Sequence, residues 1–223
     1  MDARQPSAAA PMNDAQRWSQ AMTALGVTHD PTAALIDLRR RYEEPQRRYH
    51  TIEHVRSVLT HSRWLHESGE AVDDPGALTA AAWFHDAVYE PGATANEARS
   101  ASLADAVLAR LGVTEGRRRR VVDLVLATVD HVAEAGDAAV LVDADLAILA
   151  ASEQVYGTYA EAVRTEYAFL PAPRFEAGRA EFIAGMLARH RIFATATARG
   201  RWEAKARQNL AAELTRLEQS SGR

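Results

Sequence analysis

The chain has 223 residues, the length of one domain with a substantial core. Its 26 basic residues against 30 acidic ones give a formal charge of -4, so no basic excess points to nucleic acid as a partner. Cysteine is absent, which excludes disulfides, thiolate metal sites and cysteine nucleophiles and leaves His, Asp, Glu, Ser or a metal to carry any chemistry.

All but one of the basic residues are arginine, alanine is the commonest residue, and the 12 glycines and 8 prolines are few. Such a composition favours helices. Residues 1–12, rich in Ala, Pro and Ser, read as a disordered tail without the apolar centre of a signal peptide. A first helix is expected from Asn13 to Leu25, and Asp30-Pro31 caps a second that runs to Tyr42. Thr51 to Glu67 carries Ile52, Val55, Val58, Leu59 and Leu65 at helical spacing. Asp74-Pro75 repeats the cap-and-proline signal for a helix over Gly76 to Val88.

Beyond the Pro91-Gly92 turn, Thr94 and Glu97 fit a capping box for a helix to Leu111. Thr114 opens another that ends near Asp130-His131, Asp137 precedes one through Val140 to Ala151, and Ser152 caps one to Phe169. Pro171 and Pro173 break the chain before two last helices, Arg174 to His190 and Gly200 to Leu217. The reading is all-α: a single domain over 13–218 with tails at 1–12 and 219–223. No apolar run reaches the roughly 18 to 20 residues of a membrane span, so no membrane partner and a cytoplasmic location are expected. Oligomeric state is left open.

The eight histidines are unevenly placed. His50 and His54 form H-x-x-x-H at a helix start, where residues four apart share a face. His85-Asp86 lies inside the apolar run Ala80-Ala-Ala-Trp-Phe-His-Asp-Ala-Val-Tyr89, and Asp143 and Asp145 lie inside Leu141-Val-Asp-Ala-Asp-Leu-Ala-Ile-Leu149. Titratable groups in apolar sequence need partners, and imidazole with carboxylate suits a divalent ion. His131 admits two readings, a histidine favoured at a helix C-terminus and an additional metal ligand. Arg47 and Arg164 are the arginines expected near a phosphate, since a planar fork suits its oxygens. Tyr156, Tyr159 and Tyr167 share a helix with Arg164 and read first as core packing, and Arg117 to Arg120 reads as a solvated turn.

The order His, His-Asp, Asp resembles the HD-domain superfamily of metal-dependent phosphohydrolases, an all-helical, phosphodiesterase-like bundle with a metal centre among its core helices. Further segments are similar to its stand-alone bacterial branch of predicted phosphohydrolases: Arg47-Arg-Tyr-His50, Trp83 to Tyr89, Asn96-Glu-Ala-Arg-Ser-Ala101, Asp143 to Leu149 and Val163-Arg-Thr-Glu-Tyr167. The resemblance implies His54, His85, Asp86 and Asp145 as metal ligands, with Asp143 as a cap or a residue orienting a ligand. It implies His50 as the acid for a leaving oxygen, Asp86 as a second catalytic group, and His131 as a candidate ligand of a second ion. Asn96 and Glu97 match an Asn-Glu motif of the branch, which adds substrate binding to the capping reading of Glu97; Tyr167 joins Arg47 and Arg164 on the substrate side.

The implied activity is hydrolysis of a phosphomonoester or phosphodiester of a small molecule, a nucleotide among the candidates, by metal-activated water. The ion could be manganese, iron, zinc, nickel or magnesium. Two alternatives stand beside it: a non-catalytic nucleotide or metabolite sensor, and a di-iron oxygenase of HD type, for which few additional histidines are at hand.

Overall fold

The computed structural model describes residues 12–221, so the tail expected over 1–12 lies, apart from Met12, outside the described residues. Ten α-helices and one 3₁₀ turn make up the fold, and no strand occurs among the described residues. They are α1 (Asp14–Ala24), α2 (Thr32–Tyr42), α3 (Ile52–Glu67), α4 (Pro75–Phe84), α5 (Asn96–Arg110), α6 (Glu115–Leu126), α7 (Gly136–Leu146), α8 (Glu153–Glu166), α9 (Ala172–Ala188) and α10 (Ala196–Ser221), with the 3₁₀ turn Ala147–Ala150 after α7.

Helix α4 is central because it is apolar all round, and such a helix must be buried. Every residue from Gly76 to Phe84 except Thr79 is buried. Helices α1 and α6 pack on it, α5 packs on α6, and α3 packs on α7. Helix α10 covers α9 and the 3₁₀ turn. Gly76 permits the α1–α4 approach, since a Cβ there would stand 2.8 Å from the Ala24 Cβ.

Helix starts follow local signals. Asn13 and Gln16 form a reciprocal capping box, the Asp74 carboxylate accepts from the Ala77 amide at 2.9 Å, and the Ser152 hydroxyl caps α8. Other boundaries depart from the sequence expectation for tertiary reasons. Helix α4 stops at Phe84, four residues short of Val88, because the groups its next turn would need are taken: the Ala82 carbonyl pairs with His85 Nδ1, the Trp83 carbonyl accepts from the Tyr42 hydroxyl, and the Val88 amide donates to the Ser100 hydroxyl. The Thr94–Glu97 capping box does not form; Ala95 holds the N-cap position, and Asn96 instead ties down the turn before α5. Helix α6 ends at Leu126, and His131 follows in a turn with φ +52°. Helix α10 begins four residues before Gly200 because Asp143 accepts the Ala194 and Thr195 amides, each at 2.7 Å. It continues to Ser221, into the stretch expected as a tail from Gln219; 222–223 lie outside the described residues.

The run Arg117 to Arg120 is more engaged than a solvated turn. Arg120 pairs with the buried Asp137 at 2.6 Å, and Asp137 also accepts the Asp73 and Asp74 amides, fixing the start of α4. No helix among the described residues is long and apolar enough to cross a membrane.

Replacing Gly76 with Ala should force α1 from α4 and destabilise the fold by about 2 kcal/mol. Urea denaturation followed by far-UV circular dichroism measures the loss; an unchanged midpoint would refute the close approach.

Candidate metal centre and cleft

Three elements converge on one point. Helix α3 supplies His54, the C-terminal end of α4 supplies His85 and Asp86, and the last turn of α7 supplies Asp145. His54 Nε2 lies 3.0 Å from His85 Nε2 and 3.1 Å from Asp145 Oδ1. Asp86 Oδ2 lies 3.1 Å from His85 Nε2 and 3.4 Å from His54 Nε2. An ion with N and O donors at about 2.1 Å sets neighbouring donors about 3.0 Å apart at right angles and about 3.4 Å apart in a tetrahedron. Four of the separations match that spacing, and the fifth, His85 Nε2 to Asp145 Oδ1, is longer at 3.7 Å. His54 and His85 are buried, Asp145 is half-buried, and this His–His–Asp group could hold a metal ion.

The orientation of each ligand atom has a cause. His85 Nδ1 pairs with the Ala82 carbonyl at 2.9 Å, which leaves Nε2 as the nitrogen facing the group. Asp145 has a second oxygen, Oδ2, at 3.1 Å from His131 Nε2. The turn carrying His131 is held by Arg189, which donates to the carbonyls of Asp130 and His131 at 2.7 and 2.9 Å. His131 therefore joins the centre and does not merely end a helix.

The charges are balanced by proximity. Burial pushes the Asp86 carboxyl up, but His85 and His50 outweigh it and hold the group well below the usual carboxylate range. Asp145 is likewise lowered against its burial by hydrogen bonds from His131 and His54. Burial opposes a charge on His54, yet the hydrogen bonds to Asp145 and Asp86 prevail and raise its pKa to about 9. His85 is raised for the same reason, chiefly by Asp86 against its burial. Two carboxylates held towards their charged form thus face the point where a cation would sit.

A cleft of about 280 Å³ opens over this group, lined by His50, Asp86, His131, Asp145 and a wall of aromatic residues. His50 stands at its edge, its ring stacked on Tyr89 at 4.0 Å. Its Nδ1 pairs with Glu166 Oε2 at 2.7 Å, so Nε2 remains for a bound molecule, with no hydrogen-bond partner among the described residues. Glu166 is fully buried at its side chain and also accepts the Arg48, Tyr49 and His50 amides and the Tyr89 hydroxyl. Burial raises its pKa, but the His50 hydrogen bond and charge overcome that and lower it to about 2.

No protein-family model, curated protein or solved structure matches this chain. Side-chain geometry and charge carry the functional reading.

Several expected substrate residues sit elsewhere. Arg47 is buried with no exposed side-chain surface, and its guanidinium is spent on Glu44 and the carbonyls of His50, Asp86 and Ala87. It holds the site together and cannot reach a phosphate. Arg164 bonds the Tyr167 and Leu170 carbonyls and lies over the Phe175 ring, in a groove apart from the cleft. It closes the end of α8. Asn96 borders the cleft, but its amide serves the Glu90 and Ala93 carbonyls and the Glu90 amide. Glu97 and Tyr167 do line the cleft. Asp143, fully buried, caps α10 and bonds none of the centre's residues.

The sequence reading missed Glu166, Tyr49, Tyr89 and Arg179. For Glu166 a signal existed: Tyr156, Tyr159, Val163 and Glu166 form one buried stripe on α8, and a carboxylate on such a stripe requires a partner.

Two carboxylates separated by one residue should behave oppositely. Asp143→Ala leaves two buried amides unpaired and should cost about 3 kcal/mol while retaining metal binding. Asp145→Ala should lose metal affinity with little loss of helicity; denaturation curves and equilibrium metal titrations separate the two. The raised pKa of His54 sets a pH dependence. In metal-free protein its proton stabilises the fold fully below the unfolded value of 6.5, and that contribution disappears as pH rises through about 9. Metal affinity should rise across the same window, with protons released on binding, as calorimetry in two buffers of different ionisation enthalpy would show.

Proposed function

We propose that the chain is a metal-dependent phosphohydrolase of HD type that cleaves a phosphate ester of a small molecule. One observation carries this reading: the donor atoms of His54, His85 and Asp145 meet, with Asp86 beside both imidazoles, at the base of a cleft whose edge bears His50, itself held by a buried carboxylate. A divalent ion held there would polarise a phosphoryl oxygen and lower the pKa of a water from about 15.7 towards 7.

The remaining work falls to the chain. His54, His85 and Asp145 would hold the ion, and Asp86 would complete the set and accept a proton from the attacking water. His50 donates a proton from Nε2 to the departing ester oxygen, a step suited to an imidazole near neutral pH. Glu166 keeps His50 oriented through Nδ1, as the carboxylate of a catalytic triad orients its histidine. His131 adds a nitrogen beside Asp145 and is placed for a second ion. The cleft is at the lower limit of small-molecule sites, which favours a metabolite-sized ester over a polymer.

Asp86→Ala should reduce turnover at least about 100-fold with every metal while helicity persists. His50→Gln should slow alkyl phosphates far more than 4-nitrophenyl phosphate, whose leaving group needs no proton. Wild-type protein supplied in turn with manganese, iron, zinc, nickel and magnesium should hydrolyse an aryl phosphate or a member of a nucleotide panel. No turnover with any ion, but thermal stabilisation by one nucleotide, would replace this reading with a sensor.

A further inference from the structure

With Arg47 and Arg164 committed to backbone carbonyls, Arg179 is the one arginine or lysine among the described residues that lines the cleft. It comes from the middle of α9, on the same stripe as Ile183 and Met186. Nε and Nη2 form a two-point pair with Glu213 at 2.9 and 3.0 Å, and Nη1 donates to the Tyr159 hydroxyl at 3.1 Å. A guanidinium has five N–H hydrogens. Three are used, and the other two have no acceptor among the described residues.

The surroundings prepare this group for an anion. The Tyr159 and Phe182 rings lie 5.2 and 5.3 Å from the guanidinium carbon and pack the cation between aromatic side chains. Glu213, which also receives the Tyr156 hydroxyl, balances the buried charge while the cleft is empty of ligand and fixes the plane of the fork.

Position decides which part of a ligand Arg179 meets. The Tyr49 ring lies 4.7 Å from His54, and the Tyr159 ring lies 4.6 Å from Tyr49 on the side of Arg179. These two aromatic rings run along the cleft wall from the metal-ligating group to the guanidinium. Arg179 itself bonds Glu213 and Tyr159 and none of the metal-ligating residues.

We propose that Arg179 is a specificity residue that binds a second acidic group on the substrate, so that the substrate class is a small phosphate ester whose organic body also carries a carboxylate or a further phosphate. The organic body lies against Tyr49 and Tyr159. This rests on the phosphohydrolase reading for the reacting end alone; the anion contact is separate from the chemistry.

The test uses non-hydrolysable ligands on full-length, manganese-loaded protein, read by calorimetry: phenylphosphonate, 4-phosphonobenzoate and 1,4-phenylenebisphosphonate. At least one of the two doubly acidic ligands should bind about tenfold tighter than phenylphosphonate, and which one does so identifies the second group as carboxylate or phosphate. Equal affinity for all three, or no binding of any, would overturn the proposal. Arg179→Gln alone strands Glu213 in the interior, so the variant of choice is Arg179→Gln with Glu213→Gln, its helical signal and melting checked first. In it the preference should fall to about one; a preference that survives there also overturns the proposal. Should the double variant fail to fold, the wild-type affinity ratio decides. A preference for the doubly acidic ligand without turnover of any ester would sink the hydrolase reading and leave the Arg179 contact standing. Turnover with no preference would do the reverse.

Discussion

The buried guanidinium of Arg47 is the contact on which the site depends. Two separate stretches of chain border the candidate centre, the segment before α3 with His50 and the end of α4 with His85 and Asp86. Arg47 bonds the carbonyls of His50, Asp86 and Ala87 at 2.9, 2.9 and 3.4 Å and so ties both stretches to a single planar group. Hydrogen bonds from a charged donor are worth roughly 1.5–3 kcal/mol each, and carbonyls left bare in the interior would cost as much again. With the Ala82 and Trp83 carbonyls taken by His85 Nδ1 and the Tyr42 hydroxyl, α4 does not continue, and the Arg47 contacts hold the residues after it, where His85 and Asp86 face α3 and α7. Glu166 works on the same segment from the other side by collecting three successive amides and the His50 ring.

This arrangement separates two kinds of buried charge. Arg47 and Asp143 are taken up by backbone groups and, for Arg47, by the Glu44 carboxylate as well. His54, His85, Asp86 and Asp145 are satisfied mainly by one another, at spacings that a shared cation would also produce. Burial by itself therefore does not mark a functional residue. What distinguishes the centre is that imidazole nitrogens and carboxylate oxygens face one another at ligand spacing.

Much of this was legible in the sequence, and the rest was not for identifiable reasons. The starts of α1, α4 and α8 follow from Asn13, Asp74 and Ser152, because a cap is a contact within three residues. The end of α4 and the segment that leads into α10 depend on Tyr42 and Asp143, which lie dozens of residues away. The imidazole and carboxylate residues stood out because each interrupts an apolar run, and the structure does bring His54, His85, Asp86 and Asp145 together. Arginines gave no such guide. Whether a guanidinium meets a carbonyl, a carboxylate or a ligand is decided by neighbours that only the fold supplies, so Arg47 and Arg164 were assigned to a phosphate and Arg179 was passed over.

His131 occupies a backbone region that costs a non-glycine residue roughly 1 kcal/mol or more, and the Arg189 contacts to the adjoining carbonyls hold it there. Asparagine or glycine would sit in that conformation with less strain. A version of this chain selected for thermal robustness alone would be drawn to discard the imidazole, whereas one selected for its centre would be drawn to keep it. At this turn the demands of folding and of chemistry point to different amino acids.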